Sequence, residues 1–235
     1  MPEVSGDPRP ACNICGCPMF IDMPRRPHSL FVRRGVQCAG CGSLERHRLE
    51  YLLLGRMGFL ARQCRVLHLA PEAGLGRRLL ARFGSGYEAR DIEPGLYPGL
   101  GVRPIDLCAR DLDLPRSVYD VVIHNHVLEH LACDIRPVLA RLHEALKPGG
   151  VHLFTVPFMG RTMVEDVTLR DPAERLRRFG QTDHFRIFGT DDTAVSLGSA
   201  VELPLHYDIA ALVEPPSLEA INVPRDQWQG FHNNS

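Results

Sequence analysis

Length, composition and charge place the chain among ordinary globular proteins. Its 235 residues are 44% hydrophobic and 23% charged, enough to bury the core of one α/β domain with a small appendage. The formal charge of -1 gives no overall attraction to polyphosphate or to an anionic membrane, so nucleic acid is not a default partner. No apolar run approaches the roughly 20 residues of a membrane span, and residues 1–10 lack the apolar core of a secretory signal. We therefore expect a cytoplasmic protein with no membrane partner.

Four of the eight cysteines occur in two C-x-x-C pairs, Cys12 with Cys15 and Cys38 with Cys41. A C-x-x-C turn directs two thiolates at one point, so two such turns supply a closed tetrahedral set of four sulfur ligands, the preferred arrangement of structural zinc. Cys17 leaves open a second register that uses Cys15 and Cys17, although the symmetric spacing favours Cys12 and Cys15. The sequence therefore predicts a structural Zn2+ site formed by Cys12, Cys15, Cys38 and Cys41.

The alternative for these four cysteines is that they are free thiols in a flexible arm. With four protein ligands, the predicted zinc has no open position for a water molecule, so we expect it to serve folding and docking and not catalysis. Disulfides are disfavoured by the expected cytoplasmic location. We interpret Cys64, Cys108 and Cys133 as buried small hydrophobic residues.

A helix is predicted to follow the cysteine module, over residues 44–60. Apolar positions recur there at helical spacing, Ser43 is the predicted N-cap, and Gly58 weakens the end of the helix. This change of pattern divides the chain into a small module over residues 1–43 and a larger domain over residues 44–235.

Beyond that helix, short apolar runs alternate with helical patterns. Strands joined by crossovers pair in parallel and carry helices on both faces, so the fold class is α/β with a doubly wound, mainly parallel sheet. Ligands in such sheets bind at the carboxyl ends of the strands, which makes the polar residues directly after each strand the ones of interest. The predicted strands cover residues 65–70, 87–91, 102–106, 119–124 and 151–156, and the predicted helices cover residues 74–83 and 135–146.

Residues 158–189 break this alternation because they are crowded with Arg, Asp and His. We expect them to form a polar lobe or lid over the pocket. The tail from Glu214 onward contains three prolines and is expected to be irregular and to wrap back through Trp228.

Several strings resemble those of class I S-adenosylmethionine-dependent methyltransferases, and within that class a group of bacterial enzymes with an N-terminal cysteine-rich ribbon. The string CGSLERHR at residues 41–48 resembles the segment that follows the ribbon in that group. VLHLAPEAG at residues 66–74 occupies the place of the first strand and its glycine-rich turn. YDVVIHNHVLEH at residues 119–130 and LKPGG at residues 146–150 resemble the fourth strand with its active-site turn and the turn into the fifth strand. The resemblance covers about residues 12–205 and implies a Rossmann-like methyltransferase fold.

The resemblance also implies a binding site for S-adenosylmethionine. Asp91 closes the second strand, where the family uses an acidic side chain for both ribose hydroxyls, and a carboxylate can accept two hydroxyls at once. Asp106 closes the third strand, where an Asp of the family contacts the adenine amine. The residues expected to bind the cofactor are Ala70, Pro71, Glu72, Gly74, Asp91, Ile92, Asp106, Leu107, Asn125 and His126.

The first turn departs from the family pattern. His68, Ala70 and Glu72 replace the usual acidic residue and glycines, and only Gly74 and Gly76 remain. Ala70 is small enough for close approach of the methionine end, whose ammonium group then needs a new acceptor, for which Glu72 is the candidate. A nucleotide other than S-adenosylmethionine is the alternative ligand, although neither G-x-x-x-x-G-K-[ST] nor G-x-G-x-x-G is present for a phosphate.

The acceptor side is expected to need a proton acceptor and precise placement, because methyl transfer from a sulfonium is an in-line displacement. The candidate catalytic bases are His184 in the string FGQTDHFR, and His126 and His130 after the fourth strand. Six arginines between residues 161 and 186 could receive an anionic substrate, but neighbouring acids nearly cancel them, so a solvated helix face is the favoured interpretation.

Three functions remain under comparison. The first is methylation of oxygen or nitrogen on a small molecule, such as a saccharide or a secondary metabolite. The second is methylation of ribosomal or transfer RNA, in which the cysteine module grips RNA through the basic residues between the knuckles. The third is a binding module without catalysis, which an intact cofactor half argues against. The basic residues of the second hypothesis are Arg25, Arg26, His28, Arg33 and Arg34. The sequence does not determine the oligomeric state.

Overall fold

The computed structural model describes residues 9–23, 33–203 and 208–228. Its centre is a five-stranded parallel sheet with the strand order β5-β4-β3-β6-β7. Two short antiparallel pairs lie outside it, β1 with β2 and β8 with β9. The strands are β1 Phe20–Ile21, β2 Gln37–Cys38, β3 Val66–Leu69, β4 Tyr87–Asp91, β5 Arg103–Pro104, β6 Tyr119–Asn125, β7 Leu146–Thr155, β8 Val164–Glu165 and β9 Arg186–Ile187.

Helices cover both faces of the central sheet, which confirms the predicted fold class of a doubly wound α/β sheet. No described helix is both long enough and apolar enough to cross a membrane. The α-helices are α1 Glu45–Arg56, α2 Ala73–Phe83, α3 Ile135–Glu144, α4 Pro172–Phe179, α5 Thr193–Ser196 and α6 Pro215–Ala220.

The core forms on two sides of β3 and β6 because successive strand side chains point to opposite faces. On one face, Val66 and Ile123 pack with Leu75 and Leu79, which lie one helical turn apart on α2. On the other face, Leu67 and Val122 pack with Val138 and Leu142 of α3. Both strands are therefore buried on each side, as the continuous apolar runs in the sequence predict.

The predicted N-cap of α1 is wrong. The structure places the N-cap at Leu44, whose backbone N–H donates to Nδ1 of His47 at 3.1 Å. The Ser43 hydroxyl is engaged elsewhere, 3.3 Å from the sulfur of Cys12 and 3.2 Å from that of Cys41. The ring nitrogen of His47 thus takes the place of the N3 side chain of a capping box, which accepts from the N-cap N–H, and the Ser43 hydroxyl contacts the cysteine cluster instead.

Arg48 joins the cysteine module, α1 and the tail. Its guanidinium is fully buried and donates to the carbonyl oxygens of Val36, Ser43, Ile221 and Asn222 at 2.6 to 3.0 Å. The tail is less irregular than expected because it contains α6, and Trp228 packs in a cluster with Leu53 of α1. The cysteine module and the tail are therefore packed on the main domain, with Cys12 and Cys38 in the same core cluster as α2.

The segment expected to form a lobe, residues 158–189, contains β8, α4 and β9. β9 lies against the turn that follows β6, because the buried guanidinium of Arg186 donates to the carbonyl oxygens of Leu128 and Cys133. The closing of this segment over a pocket stays a prediction.

The interpretation of Cys108 and Cys133 as free buried residues is wrong, because the two are joined by a disulfide. Both are only half-buried, and their Cα atoms lie 5.8 Å apart, within the range that a disulfide spans. Cys64 is buried with a free thiol, as predicted.

Candidate functional site

The ends of four neighbouring strands place the predicted cofactor residues at one edge of the sheet. Ala70 follows β3, and its N–H donates to the carbonyl of Arg90, the residue before Asp91 in β4. Asn125 ends β6, which pairs in parallel with β3. Asp106 follows β5, and Ile105 N–H donates to the carbonyl of Asp91. The four predicted positions therefore lie along one edge of the sheet, at the carboxyl ends of the strands, and we call this region the strand-end crevice.

The first turn of the crevice is strained at Ala70. Its φ of 47° lies in the left-handed region, which glycine adopts without penalty and an L-residue does not. His126, at the equivalent place after β6, also has a positive φ, of 53°. Backbone strain of this kind clusters at functional sites.

Glu72 is held by two histidines beneath this turn. Its carboxylate lies 3.1 Å from Nε2 of His47 and 3.1 Å from Nε2 of His68, whose Nδ1 contacts the Tyr87 hydroxyl at 3.0 Å. Although burial opposes ionisation, these histidines hold the pKa of Glu72 well below its ordinary value. His68 is therefore fully buried with a polar contact at each ring nitrogen.

Helix α1 adds two charged residues to the crevice, Arg46 and Glu50. Asn125 donates to one carboxylate oxygen of Glu50 at 3.0 Å and accepts from Thr155 at 2.6 Å. The other carboxylate oxygen of Glu50 and Nε of Arg46 are buried with no hydrogen-bond partner among the described residues. Burial, reinforced by the negative charge of Glu72, raises the pKa of Glu50 to about 8. One buried acceptor and one buried donor are therefore left for a ligand.

Asp91 and Ile92 form the next part of the crevice. The Asp91 carboxylate accepts hydrogen bonds from the Glu93 N–H at 2.7 Å and the Tyr97 hydroxyl at 2.9 Å. A carboxylate has about four lone-pair sites, so two remain for other donors. The Ile92 side chain is 66% exposed and offers a bare apolar surface beside this carboxylate.

Asp106 and Leu107 follow β5 at the outer end of the crevice. Asp106 is exposed, and its carboxylate accepts from the Cys108 N–H at 2.8 Å. Leu107 is buried in the core cluster on the α3 side of the sheet. The Asp106 carboxylate can thus accept further hydrogen bonds. The side chain of Leu107 is buried, so only its backbone N–H and C=O groups could contact a ligand.

Gly74 lies against the cysteine module. A Cβ at this position would sit 2.6 Å from the carbonyl oxygen of Cys41, closer than real Cβ contacts allow. At Gly76 a Cβ would meet the Tyr87 hydroxyl at 3.0 Å. A glycine is therefore needed at position 74 for the close packing of α2 against the cysteine module, and the role of Gly74 in cofactor binding stays a prediction.

The three candidate bases lie close together, at the turn that follows β6. Nδ1 of His126 is 3.0 Å from the Glu129 carboxylate, and the rings of His130 and His184 meet edge to face at a centroid distance of 4.8 Å. His126 is 31% exposed, whereas His184 is 6% exposed, and burial lowers the pKa of His184 to about 4. The structure brings the three histidines together around Glu129, which the sequence analysis left without a role.

The four cysteines of the two knuckles also converge. Their four Sγ atoms all lie within 4.8 Å of one another. The Sγ atoms of Cys12 and Cys41 are 3.7 Å apart, and those of Cys15 and Cys38 are 3.5 Å apart. Cys17 is outside this group. The arrangement agrees with the register that uses Cys12, Cys15, Cys38 and Cys41.

The basic residues offered for RNA are only partly within the structure. Arg25, Arg26 and His28 lie outside the described residues, Arg33 pairs with Glu45, and Arg34 is exposed. In the expected lobe, Arg161, Arg177 and Arg178 are exposed and pair with Asp191, Glu174 and Asp166, in agreement with acids that neutralise a solvated cluster. For Arg186 the interpretation of a solvated helix face is wrong, because this residue lies on β9 and is fully buried, where it pairs with Glu165.

Sequence reasoning missed Arg46, His47 and Glu50 as site residues. Arg46 and His47 lie within the string CGSLERHR, and Glu50 lies two residues after it. The three polar side chains occur among the regularly spaced apolar residues of α1. Charged residues on the buried side of an amphipathic helix are the signal that could have identified them.

The family described as a methyltransferase domain matches residues 47–191 of this chain. None of the curated proteins matches the sequence. An S-adenosylmethionine-dependent methyltransferase from Mesorhizobium loti is 18% identical, with a TM-score of 0.46 over 72% of this chain and 90% of that one. The 1,6-didemethyltoxoflavin-N1-methyltransferase of Burkholderia thailandensis is 20% identical, with a TM-score of 0.42 over 66% of each chain. A sarcosine dimethylglycine methyltransferase candidate from Galdieria sulphuraria is 21% identical, with a TM-score of 0.40. The match covers 59% of this chain and 55% of that one, so this chain spans little more than half of that protein's length.

Proposed function

Because the chain belongs to the methyltransferase domain family, we propose that the strand-end crevice binds S-adenosylmethionine and transfers its methyl group to oxygen or nitrogen of a small molecule. Membership agrees with the predicted enzyme class at the level of a methyltransferase domain, and S-adenosylmethionine as the methyl donor is part of the proposal. The observation that carries the residue assignment is the pair of unpartnered buried groups on α1, the Nε of Arg46 and a carboxylate oxygen of Glu50.

These two groups fit the methionine end of the cofactor. That end is a zwitterion, with an α-carboxylate that needs a cation and an α-ammonium that needs an acceptor. Arg46 supplies the cation and Glu50 supplies the acceptor. Glu72 is the less suitable acceptor, because both of its carboxylate oxygens already contact histidines. Ala70 and Pro71, in the strained turn, present their backbone to the same end of the cofactor.

Asp91, Ile92 and Asp106 fit the adenosine end. The two remaining lone-pair sites of the Asp91 carboxylate match the 2' and 3' hydroxyls of the ribose. The exposed Ile92 side chain provides an apolar face for the adenine ring. Asp106, or the backbone at Leu107, is then the acceptor for the adenine amino group, and Asn125 and His126 close the crevice at the sulfonium.

The four-cysteine cluster fits a structural zinc ion. A tetrahedron with Zn–S bonds of about 2.3 Å has sulfur–sulfur edges of about 3.8 Å, and the closest sulfur pairs here are 3.5 and 3.7 Å apart. The Ser43 hydroxyl next to Cys12 and Cys41 suits such a site, since groups behind the ligands orient them. Bound zinc would stabilise the junction of the cysteine module with α1 and α2.

A small acceptor suits the electrostatics better than RNA. The formal charge is -1, and the arginines of the expected lobe are largely paired with acids, so no continuous basic surface is built from them. For removal of the acceptor proton, the candidate bases are the neighbouring histidines His184, His126 and His130. A saccharide or a secondary metabolite remains the proposed acceptor class.

Calorimetric titration with S-adenosylhomocysteine tests the cofactor assignment. We expect Asp91→Ala to abolish measurable binding while the circular dichroism spectrum stays unchanged, because the carboxylate is lost and only two local hydrogen bonds go with it. Glu93→Ala, in the exposed loop beside it, is the matched control and should bind as the wild type does. Equal affinity of Asp91→Ala and wild type would refute the ribose assignment.

Methyl transfer from labelled S-adenosylmethionine to a panel of small acceptors and to bulk RNA tests the acceptor class. We expect label in one or more small molecules and weak RNA binding without a steep dependence on salt. Labelled RNA together with a steep salt dependence would replace the proposed acceptor class by RNA.

A further inference from the structure

We propose that Glu129, His130 and His184 form a second metal site, an open one for a divalent transition-metal cation. One ligand atom from each of the three lies within 4.8 Å of the other two. Glu129 is fully buried, His184 is 6% exposed, and the His130 side chain is 36% exposed, so the cluster is closed on the protein side and open on the other.

Two of these residues carry buried atoms that lack any partner. Oε2 of Glu129 and Nδ1 of His184 make no hydrogen bond within the described part of the chain. Burying a carboxylate oxygen and an imidazole nitrogen without partners destabilises the fold. A cation bound between them would satisfy both atoms, and this second observation separates the cluster from a chance grouping of polar side chains.

The groups behind the cluster resemble those that orient metal ligands. Nδ1 of His130 is 3.3 Å from the Asp183 carboxylate, which leaves Nε2 for a metal. Oε1 of Glu129 is 3.0 Å from Nδ1 of His126. A ligand histidine whose other nitrogen contacts a carboxylate is the usual pattern at metal sites, because the contact fixes the tautomer and the ring orientation.

The backbone holds the two halves of the cluster in register. The N–H of Phe185, next to His184, donates to the carbonyl of Glu129 at 2.8 Å. The buried guanidinium of Arg186 donates to the carbonyls of Leu128 and Cys133, on either side of the Glu129–His130 turn. Segments distant in the sequence are therefore joined at the point where the three ligands meet, which gives the preorganisation that a metal site needs.

Two imidazoles and one carboxylate suit a borderline cation such as Fe2+, Co2+, Ni2+ or Zn2+. Three protein ligands leave coordination positions open, in contrast to the closed set of four cysteines. The site follows β6 directly, and Glu129 contacts His126 at the edge of the strand-end crevice.

The role of this metal rests on the proposed function. In an open position, the cation would bind the hydroxyl of the methyl acceptor and make its proton easier to lose to water. The acceptor oxygen then forms the bond to the methyl carbon, and the carbon–sulfur bond breaks with its electron pair left on sulfur. In this scheme His130 and His184 would be metal ligands, which replaces the role of candidate proton acceptor that the proposed function gives them.

Cobalt binding tests the site without measuring activity. Protein treated with a chelator under mild conditions, with its zinc content followed by elemental analysis, is titrated with CoCl2 by calorimetry and absorption. We expect one Co2+ per chain without loss of zinc and without the intense thiolate-to-cobalt absorption that replacement at the cysteines would produce. The variants are His184→Ala and Glu129→Gln, and His143→Ala, at an exposed histidine elsewhere, is the matched control.

We expect both ligand variants to weaken Co2+ binding by at least about tenfold and His143→Ala to leave it unchanged. Asp183→Asn is the second test should a buried substitution unfold the protein, because Asp183 is 65% exposed and orients His130; it should weaken binding by about tenfold. Wild-type protein that takes up no Co2+ beyond the cysteine cluster, or variants that bind as the wild type does, would overturn the site. Cobalt binding in a protein that fails to bind S-adenosylhomocysteine would refute the proposed function and leave the metal site standing.

Discussion

The two sides of α1 carry two arginines with different partners, one fully buried and one partly buried. Arg48 faces the cysteine module and the tail, where its guanidinium donates to four backbone carbonyls. Arg46, two residues earlier, faces the strand-end crevice and makes no hydrogen bond or ion pair among the described residues. A guanidinium with four of its five N–H donors bonded to backbone carbonyls supports the structure, whereas one that makes no hydrogen bond within the protein is available to a ligand. The difference separates the structural side of the helix from its binding side.

Removal of the cysteine cluster is the largest expected change, and it probes the structural side. Cys38→Ser should lose zinc and lower the melting temperature by about 10 °C or more, because the binding energy of a structural zinc ion is also folding energy. Elemental analysis and thermal unfolding measure the two effects. Cys17→Ser, at a cysteine outside the cluster, should keep its zinc and its melting temperature. Metal-free wild-type protein would contradict the site, and loss of zinc from Cys17→Ser would favour the alternative register.

Arg48→Lys is expected to have the next largest effect. Lysine has a single ammonium and cannot reach the four carbonyl oxygens that Arg48 contacts, so buried acceptors are left unpaired. The free energy of unfolding in urea should fall by about 3 kcal/mol. Arg56→Lys, at an exposed residue of the same helix, should change it by less than about 0.5 kcal/mol. A small effect at Arg48 would mean that the tail and the cysteine module hold together without it.

Arg46→Lys tests the binding side of the same helix. The charge remains, but the Nε donor and the planar fork that matches a carboxylate are lost. We expect the affinity for S-adenosylhomocysteine to fall about tenfold or more and the free energy of unfolding to change little, because no contact within the described protein is broken. Arg34→Lys, at an exposed residue, should leave both quantities as in the wild type. A loss of stability without a loss of affinity would place Arg46 on the structural side.

Glu50→Gln is expected to act through the dependence of stability on pH and not through a contact that is lost at every pH. The pKa of Glu50 is raised from 4.5 to about 8, first by burial and then by Glu72. Between these values the folded protein retains a proton that the unfolded chain has released, so the free energy of unfolding of cofactor-free wild type should fall as pH rises from about 5 to 8. Urea denaturation at several pH values should show the wild type losing stability relative to the variant over this range. Parallel pH profiles would contradict the raised pKa.

The sheet could be predicted from the sequence because its strands and helices are coded by local apolar periodicity. The strand at residues 87–91 is found with the predicted bounds, and α2 and α3 differ from the predicted helices by no more than two residues at either end. The strand ends then follow from topology, because parallel strands present their carboxyl ends at one edge. The site residues after β3, β4, β5 and β6 therefore needed no knowledge of side-chain packing.

What escaped prediction depends on contacts between distant segments. The disulfide joins Cys108 and Cys133, which are 25 residues apart in the sequence and meet only through the tertiary structure. Gly74 looks like a cofactor glycine in the sequence, and its contact with Cys41 depends on how the cysteine module docks on α2. Arg46 and Arg48 have the same residue type and nearly the same position, and only the tertiary structure distinguishes their roles.

A crystal structure with S-adenosylhomocysteine bound tests the account most directly. It should show the ribose hydroxyls within hydrogen-bond distance of the Asp91 carboxylate, the α-carboxylate on Arg46, and the α-ammonium on Glu50. A ligand bound elsewhere on the chain, or in the strand-end crevice with Arg46 and Glu50 still unpartnered, would contradict the division of α1 into a structural and a binding side.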